Sequence, residues 1–411
     1  MKSYFSLFYL SFFFIAINAC KTQPPKATVT FDSEQLAEYE RSIEKEIAEG
    51  KLPGGEVLIA KNDSVIFHVV KGIKDVTTQA PLQKNSIYFI QSMTKPIISV
   101  GMMQLVEKGL VELDDPVSKY IPEASELEVS LDFDDLDRPK AALKNEMTIR
   151  QLLSHTAGLT HGLGNHPLDQ EVFKSLYGQP MRHDVFPTLE ARVQKIMTLP
   201  LIGQPGEQWN YSTGPDLVGL IIERVSQQNL SDYLQEHIFI PLGMKDTGYN
   251  IPAAEVDRFM AFHLFDENGA IVKSEIQVPP TGNTLFGGTH GLFSTAIDYL
   301  QFCQMIVHGG TWNNHQILKP ETLAQMGQNQ VGDLYKKPEK TFGLGFEVNI
   351  DTTATESFDS KGQWSWSGYF RTHFFVNPEQ QLVGIWMTQM HPYNDDSGDL
   401  LKENAYKATQ Q

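Results

Sequence analysis

The order of apolar and polar positions predicts β-structure near both ends of the chain and helices between them. Apolar runs that are broken by a short polar turn are typical of β-hairpins, whereas apolar residues recurring every three or four positions indicate helices. The predicted hairpins join Glu56–Ala60 to Val65–Val70 and Thr372–Val376 to Leu382–Thr388, and helical patterns cover Met147–Leu153, Asp216–Gln227 and Leu230–Ile238. We therefore expect an α+β fold: an antiparallel sheet from both chain ends (about 33–85 and 285–405), flanked by helices, with a mainly helical insertion (about 86–284).

The first residues form an apolar stretch that predicts a targeting segment. Lys2 precedes the nearly uncharged run Tyr4–Ile17, which is short for a spanning helix. The run Ile17-Asn18-Ala19-Cys20 resembles the lipobox of bacterial lipoproteins, in which the cysteine becomes the lipidated N-terminus. We expect a signal peptide over 1–19, a lipidated Cys20 and a tether over 20–32, which would anchor the protein by lipid in the bacterial cell envelope, in the outer membrane. The alternatives are a plain signal peptide and an uncleaved anchor.

Composition excludes several classes of function. Of the 411 residues, 33 are basic and 50 acidic, and this excess of negative charge disfavours a nucleic-acid partner. HExxH, CxxC and Gly-rich phosphate-loop motifs are absent, and the acidic stretch 123–137 lacks the glycine and glutamate spacing of a calcium loop, so neither a metal nor an organic cofactor is implied. Cys303 lies at a core position of a helical pattern.

The candidate chemistry begins at Ser92-Met93-Thr94-Lys95. An S-x-x-K sequence at a helix start places the serine hydroxyl and the lysine amine on one face, where the amine can act on the hydroxyl. The helix N-terminus adds N–H groups where an oxyanion would form. Pro96 suits a first helical turn, and the apolar residues that follow predict a buried helix.

The surroundings of this tetrapeptide resemble the class C β-lactamase and penicillin-binding serine hydrolase family. The similar segments, in the family's order from about residue 35 to 405, are Ser86–Pro96, Gly109–Val117, Thr148–Leu159, Pro205–Ser212 and Gly288–Tyr299. The resemblance implies a β-lactamase/transpeptidase-like domain over 33–411 and a covalent acyl-enzyme on Ser92.

The resemblance also implies roles for further residues. Tyr211 occupies the family's Tyr-x-Asn position and would exchange the serine proton with Lys95; the sequence leaves open which of the two is the base. Trp366-Ser367-Gly368 aligns with the third motif. The backbone N–H of Tyr369 would then join that of Ser92 in the oxyanion hole.

Two departures from the β-lactamase pattern concern the substrate. Thr213 stands where an amide-binding Asn is common, and Trp366 stands where a cationic Lys is common. Both changes resemble the esterases of the family. Arg371 is a candidate to restore a positive charge for a carboxylate; a solvated strand arginine is the alternative.

Three histidines fall in or near these motif segments. His155 is expected to have a structural role in a turn. His290 and His373 are expected to approach the pocket, where either could assist deacylation.

The sequence therefore predicts a lipid-anchored serine hydrolase that cleaves a carboxylic ester. Its small-molecule partner would be an ester or a peptidoglycan-like substrate. A β-lactamase or D-Ala-D-Ala peptidase is the alternative within the enzyme class. A non-catalytic binding lipoprotein of the same fold is the alternative outside it.

Overall fold

An eight-stranded sheet built from the two ends of the chain forms the centre of the structure. The computed structural model describes residues 29–135, 139–178, 181–182, 185–276, 278–350 and 360–410. The predicted signal segment and Cys20 lie outside these residues. Among the described residues, no helix is long and apolar enough to cross a membrane.

The elements have the following bounds. The strands are β1 (Gly54–Lys61), β2 (Ser64–Asp75), β3 (Ala80–Pro81), β4 (Tyr88–Phe89), β5 (Glu128–Ser130), β6 (Lys140–Ala142), β7 (His263–Phe265), β8 (Ile271–Lys273), β9 (Phe293–Ser294), β10 (Thr311–Trp312), β11 (His315–Gln316), β12 (Lys340–Phe342), β13 (Glu347–Asn349), β14 (Trp364–Gly368), β15 (Thr372–Asn377), β16 (Leu382–Met387) and β17 (Met390–His391). The helices are α1 (Ser33–Ala48), α2 (Thr94–Glu107), α3 (Ile149–Leu153), α4 (Pro167–Tyr177), α5 (Leu189–Ile196), α6 (Gly214–Ser226), α7 (Leu230–Leu234), α8 (Ile240–Leu242), α9 (Ala296–Val307), α10 (Pro320–Met326) and α11 (Asp396–Thr409).

The central sheet has the order β12-β13-β14-β15-β16-β1-β2-β3. Each neighbouring pair is antiparallel, and the β1–β16 pair joins the two predicted hairpins, with Leu58 opposite Ile385. The predicted α+β fold with a sheet from both chain ends is therefore confirmed. Within the C-terminal part of the chain, α9 and α10 precede the strands of the central sheet, which begin at Lys340.

Strand alternation divides the core between the two faces of the sheet. On the outer face, Val57 and Trp386 pack against α1 and α11. On the inner face, Leu58 and Ile385 join one large cluster with α2, α6 and α9, and this cluster includes Cys303. The helical region between the two parts of the sheet thus covers the inner face, and the candidate site lies where they meet.

Candidate active site

Ser92 lies in a tight turn between a buried strand and a buried helix. The strand β4 leads into the 3₁₀ turn Gln91–Met93, which continues directly into α2. Gln91 has φ of 48°, a conformation that non-glycine residues rarely adopt. Because α2 is buried from Thr94 to Leu105, the turn is held on a rigid support. Ser92 itself is half-buried and faces a cavity.

The Lys95 amine lies beside the Ser92 hydroxyl. Lys95 Nζ is 2.9 Å from Ser92 Oγ and donates a 2.8 Å hydrogen bond to the Thr289 carbonyl. Only 1% of Lys95 is exposed. Burial lowers the pKa of Lys95 well below its usual value, with Asp216 raising it and Arg192 lowering it further. The amine is therefore biased toward its neutral form, which can accept a proton from Ser92.

Tyr211, the third predicted catalytic residue, lies beside Lys95. Lys95 Nζ lies 4.5 Å from the centre of the Tyr211 ring. The Tyr211 hydroxyl is buried and makes no hydrogen bond of ordinary geometry to the described residues. Burial raises its pKa, while the nearby Ser92 hydroxyl and Trp366 indole lower it in part. Tyr211 therefore keeps its proton at neutral pH, which suits an acid better than a base.

Two histidines hold the segment that carries Tyr211. The backbone N–H of His161 donates to the Tyr211 carbonyl at 3.1 Å. The His161 ring stacks on the Tyr211 ring, with centroids 5.1 Å apart. His155 Nδ1 lies 3.0 Å from Ser212 Oγ. Burial lowers the pKa of both imidazoles well below the usual value, and the Lys95 charge lowers it further. His155 also has φ of 59°, so the structure places it in the turn where a structural role was expected.

Gly368 allows β14 to approach Ser92 closely. A Cβ at Gly368 would lie 2.5 Å from the Ile90 carbonyl oxygen and 2.2 Å from Thr372 Oγ1, so a larger residue would clash on both sides. The last ladder pair of β14 and β15 is Gly368–Thr372. The Tyr369 N–H that follows is consequently not used by the sheet, and Tyr369 lines the cavity with Ser92. This arrangement suits an oxyanion hole built from two backbone N–H groups.

A cavity of about 500 Å³ opens in front of Ser92. Its lining includes the apolar side chains of Phe89, Leu163, Phe173, Tyr177, Met181 and Val278, together with polar side chains such as Arg182, His161 and His290. Ser365, Ser367 and His373 are also in the lining, but they alternate with inward-facing Trp366 and therefore lie on the outer face of the sheet.

Two predicted substrate-binding residues are not among the described residues that line this cavity, and both expectations are corrected. Thr213 is buried at the start of α6, where its hydroxyl donates to the Thr160 carbonyl at 3.4 Å. Arg371 lies in the turn after β14 with φ of 62° and donates to the Pro392 carbonyl at 2.7 Å. Asp396 and Glu46 are its charged neighbours. The turn directs the guanidinium toward the terminal helices rather than toward Ser92.

The remaining two histidines reach the cavity at different places. His290 lines the cavity, with its ring centre 5.5 Å from that of Tyr177. His373 is opposite Ser367 in the ladder and therefore on the outer face of the sheet, whereas Trp366 faces inward. Burial lowers the pKa of His373 to about 4. His373 is consequently neutral at physiological pH and separated from Ser92 by β14.

Sequence reasoning missed three groups around Lys95 and Tyr211. They are the His161 ring, the Tyr177 ring stacked on the other side of His161, and the buried ion pair of Arg192 with Asp216. His161 and Asp216 both lie close to motif segments. Their partners lie on other elements, which periodicity alone does not bring together. Among the described residues, no group of three or more His, Cys, Asp or Glu side chains is arranged to hold a metal ion.

The chain resembles known proteins over most of its length. A sequence model of the family described as Beta-lactamase matches residues 39–407. The chain is 28% identical over 371 residues to Acyltransferase calJ of Penicillium decumbens, covering 83% of this chain and 85% of that protein. It is 26% identical over 390 residues to Esterase EstB of Burkholderia gladioli, covering 89% and 92%.

The fold has also been seen in solved structures. EstCE1, described as a hydrolase with promiscuous acyltransferase activity, superposes with a TM-score of 0.78 at 23% identity. The superposition covers 91% of this chain and 99% of that one. At this identity the likeness establishes the fold alone.

Proposed function

Because the chain belongs to the Beta-lactamase family, we propose that it hydrolyses carboxylic esters through an acyl-enzyme on Ser92. The esterases and acyltransferases among its relatives support a serine hydrolase enzyme. The observation that carries the proposal is the 2.9 Å contact between the Ser92 hydroxyl and the buried amine of Lys95. A serine hydroxyl becomes a good nucleophile when a neighbouring base takes its proton, and a desolvated amine is such a base.

The reaction proceeds in two halves. Ser92 Oγ attacks the ester carbonyl as its proton passes to Lys95 Nζ, and the N–H groups of Ser92 and Tyr369 stabilise the oxyanion. The C–O bond then breaks, and the leaving alkoxide takes the Tyr211 proton, which the Lys95 ammonium restores. Water attacks the acyl-enzyme next, giving its proton to Lys95, and the carboxylic acid leaves as Ser92 regains its hydroxyl. The net reaction consumes one ester and one water and releases one acid and one alcohol.

Several features favour esters over anionic β-lactams and D-Ala-D-Ala peptides. In the third motif, Trp366 occupies the position at which a cationic side chain would bind a substrate carboxylate. The Trp366 ring lies 5.3 Å from that of Tyr211. Arg371 does not replace that cation, because it is directed away from the cavity. The lysines that line the cavity have carboxylate partners already: Lys337 and Lys340 contact Glu347, and Lys402 contacts Asp399. Desolvating a substrate carboxylate without a partner is unfavourable.

The apolar side chains of the cavity suit one half of an ester. Phe173, Tyr177 and Met181 line the cavity and favour a hydrophobic group, since the burial of such a group is favourable in proportion to its apolar area. The proposed substrate is therefore an ester with at least one apolar half.

Acyl transfer is a second candidate function. A relative named as an acyltransferase aligns over most of the chain. An alcohol bound in the cavity in front of Ser92 could take the place of water and receive the acyl group. Product analysis with and without added glycerol separates hydrolysis from transfer.

A comparison of substrates tests the ester proposal. The detergent-solubilised full chain is assayed with p-nitrophenyl butyrate, nitrocefin and a D-Ala-D-Ala peptide. We expect kcat/KM to be clearly highest for the ester. The opposite order would favour the β-lactamase or peptidase alternative, and failure of a fluorophosphonate probe to label the protein would favour a binding protein.

We also propose that the protein is tethered to the cell envelope, in the outer membrane, through lipid on Cys20. The support is the lipobox-like sequence alone. A diacylated cysteine holds a protein on a bilayer much more firmly than a single acyl chain. The polar tether that follows would keep the hydrolase domain clear of the lipid surface.

A further inference from the structure

A fully buried ion pair lies behind the proposed base and has no part in the reaction steps described above. Arg192 Nε on α5 donates to Asp216 Oδ2 on α6 at 2.7 Å, and the two side chains are 1% and 0% exposed. Burying two charges is unfavourable, and further hydrogen bonds offset part of that cost. Arg192 Nη1 donates to the Leu176 carbonyl at 2.7 Å, and Asp216 Oδ1 accepts from the Thr289 N–H at 2.9 Å, whereas Arg192 Nη2 makes no hydrogen bond of ordinary geometry to the described residues.

Residue 289 connects this ion pair to Lys95. Its N–H binds Asp216, and its carbonyl accepts the 2.8 Å hydrogen bond from Lys95 Nζ. The connection requires a close approach of two chain segments, since a Cβ at Gly288 would lie only 1.8 Å from the Pro215 carbonyl oxygen. Hydrogen bonds on either side of the Thr289 backbone therefore link Arg192 and Asp216 to Lys95 and Ser92.

We propose that Arg192 and Asp216 are positioning residues that hold the Thr289 backbone where its carbonyl can orient the Lys95 amine toward Ser92. The inference rests on the proposed role of Lys95 as the base that activates Ser92. Asp216 supplies the acceptor that fixes residue 289. Arg192 supplies the charge that lets a carboxylate remain buried there.

The pair also contributes to the electrostatics at Lys95, whose pKa is lowered chiefly by burial. Asp216 favours the ammonium form and Arg192 disfavours it, so the two charges act in opposition. Removing either charge alone leaves the other uncompensated and changes the protonation of Lys95 in a direction that depends on which charge remains. The other titratable side chains around this site are His155, His161, Tyr177, Tyr211 and His290.

The test follows Ser92 labelling by a fluorophosphonate probe as a function of pH in the full chain. This readout requires the nucleophile but not the natural substrate. In Asp216→Asn the midpoint of the pH profile should move to lower pH by about one unit, because Arg192 remains. In Arg192→Met it should move to higher pH by a similar amount, because Asp216 remains. In the double variant Asp216→Asn/Arg192→Met it should return close to the wild-type midpoint.

Two double variants test the hydrogen bond to Thr289 separately, even if the single variants do not fold. Asp216→Asn/Arg192→Met keeps an acceptor for the Thr289 N–H and should label at nearly the wild-type rate. Asp216→Ala/Arg192→Met lacks that acceptor and should label at least about tenfold more slowly. Equal labelling rates in the two would overturn the inference.

A matched control uses a second arginine–aspartate pair. Arg258 makes a two-point contact with Asp246, at 2.8 and 2.7 Å, in the half-buried region before β7. Arg258→Met should leave the midpoint of labelling unchanged. The inference would be overturned by midpoint shifts of the same sign in Asp216→Asn and Arg192→Met, or by no shift in either variant. An equal shift in Arg258→Met would also overturn it. A wild-type protein that labels normally but cleaves no ester would contradict the proposed function and not this one.

Discussion

Lys95 meets Tyr211 through the face of its ring, with Nζ 4.5 Å from the ring centre. The face of an aromatic ring attracts a cation. The ring therefore stabilises the ammonium that forms when Lys95 takes the Ser92 proton, while the Tyr211 hydroxyl keeps its own proton because burial raises its pKa. This geometry assigns the two residues different tasks, which substitutions can separate.

The first prediction separates the base from the acid by changing the leaving group. Tyr211→Phe keeps the ring and removes the proton donor, so cleavage of an alkyl ester such as ethyl butyrate should fall by about 10²-fold or more. With p-nitrophenyl butyrate, whose leaving group needs no protonation, the loss should stay within about tenfold. Lys95→Met should suppress both reactions.

The measurement is kcat/KM of each variant with both esters. Equal losses for the two esters in Tyr211→Phe would contradict the role of Tyr211 as the acid. Loss of only the alkyl-ester reaction in Lys95→Met would contradict the role of Lys95 as the base.

The second prediction concerns stability as a function of pH. Burial lowers the pKa of Lys95 well below its ordinary 10.5, so above this lowered pKa the folded chain binds fewer protons than the unfolded chain. The free energy of unfolding should therefore rise with pH, by up to about 1.4 kcal/mol per unit, until the pH approaches 10.5. Buried Cys303, whose pKa is raised, opposes this trend at the alkaline end.

Urea unfolding between about pH 7 and 9 tests this prediction. Lys95→Met should show a smaller slope than the wild type, while Lys174→Met, at an exposed position on α4, should keep the wild-type slope. Identical slopes in the wild type and Lys95→Met would show that the folded protein keeps Lys95 charged.

The third prediction tests the close approach of β14 to the nucleophile. In Gly368→Ala the added methyl group would meet the Ile90 carbonyl and Thr372 Oγ1, so β14 must move away from Ser92 and the oxyanion hole must widen. We expect kcat for p-nitrophenyl butyrate to fall by about 10²-fold or more. Gly248→Ala is the control, because its nearest contact would be 3.9 Å away. An unchanged kcat in Gly368→Ala would contradict the assignment of the Tyr369 N–H to the oxyanion hole.

The fourth prediction concerns the lipid anchor. Cys20→Ser removes the thiol that would carry the lipid, so the protein should shift from the membrane fraction to a soluble or unprocessed form. Fractionation and metabolic labelling with a palmitate analogue measure the change. An unchanged distribution, with no label in the wild type, would mean that another part of the chain or a partner holds the protein at the membrane.

The sequence predicted the parts of the fold and the site that depend on local order. The polar turns between apolar runs predicted both hairpins, with strand bounds within a few residues of those in the structure. The spacing of Ser92 and Lys95 placed the hydroxyl and the amine on one face of a turn, where the structure has them 2.9 Å apart. Such features can be predicted because they depend on only a few consecutive residues.

The features that were missed depend on contacts between distant segments. Arg371 was expected in the cavity, but the φ of 62° in its turn directs it to the Pro392 carbonyl, which the sequence does not show. Asp216 lies in a predicted helix, yet its importance depends on Arg192 and Thr289, which are 24 and 73 positions away. The role of a buried charged residue therefore depends on the residues that contact it, and the sequence alone does not show these contacts.

The most direct test of the ester mechanism is to trap the acyl-enzyme. The full chain is mixed with p-nitrophenyl butyrate, quenched in acid within the first turnovers and digested for mass spectrometry. We expect one butyryl group on the peptide containing Ser92, no adduct in Ser92→Ala, and an adduct in Ser226→Ala, whose hydroxyl bonds to the Ile222 carbonyl on α6. Butyryl on another residue, or turnover by Ser92→Ala at the wild-type rate, would contradict it.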